Sequence, residues 1–213
     1  MKLTASLRVL AAGLLVFGAF APPPAAADEP PYPTFNEWWQ WALSLPSAVN
    51  PILDNSGVRC TFGQRGNLWF LAGNTGGRTV RSCTLPAGAR VMIPIHNTVC
   101  FLDEVDTAES CASYTAADFA SFTRAEVQFS GPVAPVVFDQ PATVPGEWDF
   151  TFSVPRNGIF GLKPGLYRAV SAAGRWAFVD LSTPGVYTLR VRAANTAGFE
   201  LDVTYLLTVA EVN

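Results

Sequence analysis

The chain has a single histidine, only 15 % charged side chains and, beyond residue 27, one lysine, Lys163. With His96 as the only imidazole and no Cys-x-x-Cys pair, the ligand set of a structural zinc site is absent. No Gly-x-Ser-x-Gly turn accompanies that histidine, so the pattern of a serine hydrolase is missing too. Beyond residue 27 no apolar run approaches the roughly 20 residues that cross a bilayer as a helix. Basic excess is also lacking, which argues against a nucleic-acid or anionic-membrane partner, since both need a positive face.

The first 27 residues carry the clearest signal. Lys2 and Arg8 precede an apolar run from Val9 to Ala21, and Ala25-Ala26-Ala27 supplies small residues before Asp28. This is the order of a secretory signal peptide, and it predicts cleavage after Ala27 and a secreted or periplasmic destination. Removing residues 1–27, with Lys2 and Arg8, would leave 12 of the 14 basic residues against all 17 acidic ones, a net charge of −5. Residues 28–33 are a Pro-rich lead-in that cannot be helical, and residues 34–213 are expected to form one domain.

Cys60, Cys83, Cys100 and Cys111 all follow the leader, and an even count in an exported chain implies disulfides. Of the three possible pairings, Cys60–Cys83 with Cys100–Cys111 closes the most compact loops. Each bridge would contribute roughly 3 kcal/mol by chain entropy.

Thr34 and Glu37 form a capping-box pair, and Phe35, Trp38, Trp39, Ala42 and Leu45 share one face of a short helix that Pro46 ends. Trp41 points away from that face and is the tryptophan expected at the surface. Strands are predicted at Val58 to Phe62, Leu68 to Ala72, Thr79 to Leu85, Arg90 to Ile95, Ala125 to Phe129 and Pro135 to Phe138. Asn97 to Ser113 reads as a disulfide-closed loop, with one or two helical turns at Thr115 to Phe122. The second half alternates more cleanly. Trp148 to Val154, Tyr187 to Ala193 and Phe199 to Val209 each place apolar residues at every second position, the mark of strands with one buried face. Pro145-Gly146, Pro164-Gly165 and Pro184-Gly185 punctuate this half and mark strand starts.

These features predict a mainly β protein: an antiparallel, disulfide-braced β-sandwich behind one short N-terminal helix. Pro184-Gly185-Val186-Tyr187-Thr188-Leu189-Arg190-Val191 looks like the penultimate strand of extracellular immunoglobulin-like modules. Over residues 35–97 the chain also resembles a family of uncharacterised exported bacterial proteins. The likeness rests on Trp38-Trp39-Gln40-Trp41, Asn50-Pro51, Cys60 with Gly63-Gln64 and Gly66, Trp69-Phe70-Leu71-Ala72-Gly73, Arg81-Ser82-Cys83 and Pro86-Ala87-Gly88. The resemblance implies export and a β-rich fold, and it transfers no catalytic residue.

Candidate site residues are few. Trp41, as an exposed indole, suits a sugar ring or a protein contact. Gln64 and Arg65 sit in a Gly-rich loop, where binding sites concentrate. His96 offers a general base, although a histidine at the end of an apolar strand is more often simply hydrogen bonded. Asp103, Glu104 and Asp106, between Cys100 and Cys111, carry the hard oxygens that Ca²⁺ prefers, without EF-hand spacing; a solvated acidic loop is the plainer reading. The expected function is an exported, non-catalytic binding or surface-interaction module for a carbohydrate or protein ligand, with no cofactor. The rival is an extracellular hydrolase of polysaccharide or peptide, assisted by calcium, with Asp139, Glu147 and Asp149 as nearby carboxylates. A structural subunit that pairs through a sheet edge is the third reading.

Overall fold

The computed structural model of the chain describes residues 35–102, 106–131, 136–140 and 150–210. The expected leader, the Pro-rich lead-in and Thr34 of the expected capping box lie outside them. Within them are nine strands and two α-helices. The strands are β1 (Leu68–Phe70), β2 (Gly77–Pro86), β3 (Ala89–Phe101), β4 (Phe122–Ser130), β5 (Val136–Gln140), β6 (Phe150–Val154), β7 (Gly165–Leu181), β8 (Gly185–Asn195) and β9 (Glu200–Ala210). The helices are α1 (Phe35–Ser44) and α2 (Ala108–Ser121).

The alternation in β8 and β9 decides one sheet. Tyr187, Leu189, Val191 and Ala193 point inward, as do Leu201, Val203, Tyr205, Leu207 and Val209, while their neighbours face outward. Burying each such Leu or Val contributes roughly 1.5–3 kcal/mol. These side chains meet Val91, Ile93, Ile95, Ala177, Val179 and Leu181 from a second sheet, so the main core is the layer between the two. One sheet has the order β1-β3-β7-β5, with β6 also on β7, and the other β2-β9-β8-β4. With β2 and β6 set aside, the remaining seven strands follow the order of an immunoglobulin sandwich, although that sandwich has two antiparallel sheets and here β1 joins β3 in parallel. Tyr187 near the start of β8 donates to the Thr183 carbonyl four residues upstream, 2.6 Å away, as in the tyrosine corner of such domains. Most pairs are antiparallel, as expected, but β1 joins β3 and β2 joins β9 in parallel. Strand alternation carries no information about partner direction, so those two pairings could not be read from sequence.

The β1-containing sheet is covered on both faces. Its outer face meets α1, where Phe35, Trp38, Trp39 and Trp41 pack with Phe70, Met92, Phe152, Trp176 and Phe178 in a second core. Phe35 stacks on Trp176 at 4.3 Å and Trp38 meets the same ring edge-on at 5.5 Å. Trp41 is therefore not the surface indole expected of it. It is 7 % exposed, its ring lies 5.5 Å from Phe70, and its Nε1–H donates to the Phe62 carbonyl at 2.9 Å. The helix docks between the sheet and the 57–66 turns, so even the residue off its main apolar face is enclosed.

Two expectations about local structure are corrected. Val58 to Phe62 forms turns, not a strand. The Asp54 carboxylate accepts from the Ser56 and Arg59 amides and so winds the chain. Gly57, at φ +96°, lies so close to the Ser82 backbone that any Cβ would overlap it. Second, β3 runs on through Asn97 to Phe101, and α2 begins at Ala108, capped by Thr107, whose hydroxyl accepts from the Ser110 amide. β7, the longest strand, is nearly continuous in burial from Ala169 to Val179, so beyond its Pro-Gly start it lacks the alternation that marks a half-exposed strand. Pro164-Gly165 and Pro184-Gly185 do open strands; Pro145-Gly146 and Trp148 lie outside the described residues. The disulfides pair as expected, Cys60 with Cys83 and Cys100 with Cys111.

One buried charge ties the crossing between sheets together. Arg81 on β2 is 1 % exposed. Its Nε donates to the Asp54 carbonyl at 2.6 Å, its Nη1 to the Ala72 carbonyl and the Tyr205 hydroxyl at 2.7 Å each, and its Nη2 to the Ile52 carbonyl at 3.2 Å. Burial works to raise the Asp54 carboxyl. The amides of Arg59 and Ser56, the Ser56 hydroxyl and the Arg81 charge together overcome this and hold it below the usual range. Burial pushes the Tyr205 phenol up, against the pull of Arg81. Replacing Arg81 by Met removes the donor to the Asp54 and Ile52 carbonyls and leaves Ala72 and Tyr205 only each other. Arg81→Met should cost about 3–5 kcal/mol in a guanidinium unfolding curve, the scale of a broken buried charge network. A loss below about 1 kcal/mol would show that water replaces the guanidinium at little cost.

Candidate ligand cleft

Of the residues expected at a site, Trp41, Gln64 and Arg65 come together along one groove of about 560 Å³ between α1, the 63–68 segment and β6. Gln64, however, is committed to the backbone. Its Nε2 donates to the Cys60 and Phe70 carbonyls at 2.7 and 2.8 Å, and its Oε1 accepts from the Phe70 amide at 2.8 Å. That side chain staples the 60–70 loop onto β1. With the Trp41 indole also spent on Phe62, Arg65 is the exposed member of the trio.

His96 lies elsewhere, in a cleft of about 390 Å³ at the end of the sandwich. The cleft exists because β1 is short. Arg90 donates to the Asn67 carbonyl and Met92 accepts from the Leu71 amide, so even-numbered residues of β3 face β1. The next is Pro94, which has no N–H to offer, and β1 has already left the sheet there. A bulge between Pro94 and His96 then turns the imidazole inward. His96 is 8 % exposed, stacked on Phe122 at 4.1 Å and close to Phe119 of α2 at 5.1 Å. Around this stretch of β3, which pairs with β7 but no longer with β1, gather Trp38 and Trp39 of α1, Asn74 and Thr75 of the crossing between sheets, Tyr114 and Asp118 of α2, Phe160 of the β6–β7 loop, and Asn195 and Phe199 of the β8–β9 turn.

Two exposed aromatics stand out. Tyr114 is 55 % and Phe160 57 % exposed, although each lines the cleft. Phe160 has φ +61°, a left-handed conformation that costs a bulky residue about 1–3 kcal/mol. Its neighbours impose it: Ile159 is buried in the second core, and the Asn157 carbonyl is held by the Ser47 amide at 2.7 Å. Asp118 is the only acidic or basic side chain among the described lining residues other than His96. Burial raises its carboxyl above the ordinary range, and a hydrogen bond from Thr98 offsets this in part. The Trp39 Nε1–H and one Asn97 Nδ2 group, both on lining residues, are buried with no hydrogen-bond partner among the described residues. Among the described residues no serine or cysteine lines the cleft beside His96.

Of the expected calcium ligands, Asp103 and Glu104 lie outside the described residues, and Asp106 stands just ahead of α2. Among the described residues no group of three His, Cys, Asp or Glu side chains is placed to hold a metal. Glu147 and Asp149 also lie outside them. No helix among the described residues is long and apolar enough to cross a membrane. Asn74, Tyr114, Asp118 and Phe160 were missed by sequence reasoning; Asn157-Gly158 and Gly161 around an isolated Ile-Phe pair were the available hint of a forced turn.

No family model matches this chain, and no curated protein is similar to it. Among solved structures it is similar to one described as "Structure of PbICP-C in complex with falcipain-2", at 12 % identity over 68 % of this chain and 100 % of that one, with a TM-score of 0.27. A score that low carries no argument about function.

The Asp118 environment makes a signed prediction. A carboxyl whose proton is held more firmly in the folded chain favours folding at acid pH, and that contribution is lost as pH rises above the ordinary value of about 3.9. In thermal melts from about pH 3.5 to 7, a span set around that ordinary value, Asp118→Asn should therefore gain on the parent chain as pH rises. Parallel pH profiles would mean the carboxyl is solvated in the folded state.

Proposed function

We propose that this chain is an exported, non-catalytic binding module, of the exported bacterial family it resembles, and that its ligand is a neutral carbohydrate held in the cleft beside β3. The observation that carries the reading is Phe160, an exposed ring kept at a strained backbone angle where it lines a cleft. Strained angles of that kind cluster at binding and active sites, where the surrounding structure over-determines them, as Ile159 and Asn157 do here. The rest of the lining supports the ligand class. Aromatic surfaces from Tyr114, Phe160 and Phe199 suit the apolar faces of a sugar ring, and Asn74, Thr75, Asn195 and Asp118 suit its hydroxyls. Among the described residues no Arg or Lys lines the cleft, so phosphorylated, sulfated and uronic sugars would find no counter-charge there. Two disulfides and the leader-like first 27 residues support an oxidising destination, in the periplasm or the medium.

A second reading has one specific observation behind it. Among the described residues, the edge of β3 beyond Met92 lacks a neighbouring strand on the β1 side, and an extended peptide could add there through main-chain bonds. The hydrolase reading finds one carboxylate, Asp118, and no serine or cysteine among the described cleft residues.

The test is a glycan array probed with the purified protein, followed by titration of the best neutral glycan. Phe160→Gly should raise the melting temperature, because glycine adopts φ +61° without strain. The same variant should weaken glycan binding by about tenfold, or about 1.4 kcal/mol. A chain that binds no neutral glycan, or a glycine variant that binds as well as the parent, would dismiss the carbohydrate reading.

A further inference from the structure

The outer face of the four-stranded sheet carries an ordered charge pattern that the ligand cleft does not use. The strand register places outward side chains in rows across β2, β9, β8 and β4. One row reads Arg78, Asp202, Arg192, Glu126, which is plus, minus, plus, minus. The next reads Val80, Thr204, Arg190, Gln128, and Arg190 turns back to grip Asp202 through two bonds of 2.7 and 2.6 Å. Then come Ser82, Leu206, Thr188 and Ser130, and beyond them Thr84, Thr208 and Val186. Charge is thus confined to one end of the face, where Arg192 also holds Glu126 at 2.6 Å and Arg124 stands 3.8 Å from Glu126. The other end is a charge-free surface of Thr, Ser, Val and Leu. Val80, Leu206 and Val186 are 47 %, 41 % and 75 % exposed, and Val58, at 74 %, stands on the turn against Ser82.

A row of four alternating charges is complementary to itself. When a two-fold axis runs parallel to the strands between β9 and β8, β2 of one copy faces β4 of the other, and β9 faces β8. Arg78 then lies opposite Glu126 of the second copy and Asp202 opposite Arg192, each pair occurring twice. The same operation puts Leu206 opposite Thr188, and Thr208 opposite Val186. An axis across the strands would instead press the charged row onto the Thr and Val end and desolvate it without partners. Packing of two sheet faces about 10 Å apart is a standard arrangement.

We propose that the protein forms a symmetric dimer through this face, with the charged row setting its register and the charge-free end supplying the buried apolar surface. Both edges of the sandwich and the cleft beside β3 stay open in such a dimer, so its two clefts are presented as a pair.

Charge swaps test the symmetry directly. Arg78→Glu alone sets two acidic pairs against each other in its own dimer, and Glu126→Arg alone sets two basic pairs. In a 1:1 mixture of the two variants, the mixed dimer restores both contacts. The glutamate introduced at position 78 of one chain meets the arginine introduced at position 126 of the other, and the unchanged Arg78 meets the unchanged Glu126. Sedimentation velocity on the parent protein should give twice the mass of the chain. Each variant alone should self-associate at least about tenfold more weakly, and the mixture should recover the dimer. Unchanged near-ultraviolet circular dichroism keeps the comparison among folded proteins. A parent protein that is monomeric at about 100 μM, a value chosen well above the Kd range of stable complexes, overturns the proposal. So do variants that dimerise as the parent does, or a mixture that stays monomeric.

Discussion

A five-stranded sheet with apolar side chains on both faces has no way to meet water, and the arrangement of this protein follows from that constraint. β3 and β7 send Val91, Ile93, Val179 and Leu181 to one side and Met92, Trp176 and Phe178 to the other. One side is closed by the four-stranded sheet. The other needs a separate cover, and the tryptophans of α1 provide it, with the Trp38 indole bonded to the Leu71 carbonyl at 2.9 Å. Covering both faces fixes where the chain must cross between sheets, at residues 71–76. Arg81 sits at that crossing and donates to its Ala72 and Gly73 carbonyls, the first of which Tyr205 also serves.

How far this was legible in the sequence depended on how each strand is wetted. β8 and β9 have one dry and one wet face, so their alternation announced both the strands and their inward residues. The helix at Phe35 to Leu45 was visible for the analogous reason, at helical period. β7 was not, since Ala172-Ala173-Gly174 and the apolar run after Arg175 look the same at either period when both faces are dry. The turns at 57–63 were mistaken for a strand because Val58 and Phe62 are β-formers locally, and the Asp54 carboxylate that overrides them acts from outside the segment. The pairing of four cysteines followed from loop compactness alone.

The site was harder. His96 was singled out as a rare residue, but the bulge that turns it inward, and the departure of β1 that opens the edge beside it, are facts of pairing. Cleft residues come from several separate segments of chain, and no local pattern announces such a convergence. Trp41 and Gln64 attracted notice for their chemistry and turned out to serve the framework, one packed under the 57–66 turns and the other bracing them.

The two cystines also differ in kind from the bridge that spans the two sheets of an antibody domain. Here one fastens a coil of turns to β2 and the other pins α2 to the end of β3; neither crosses the interior from one layer to the other. The Cys60–Cys83 bridge lies within the main core, whereas the Cys100–Cys111 bridge ties the end of β3 to α2, which brings Tyr114 and Asp118 to the cleft. Reduction of that second bridge would release one wall of the cleft while leaving the packing between the two sheets in place.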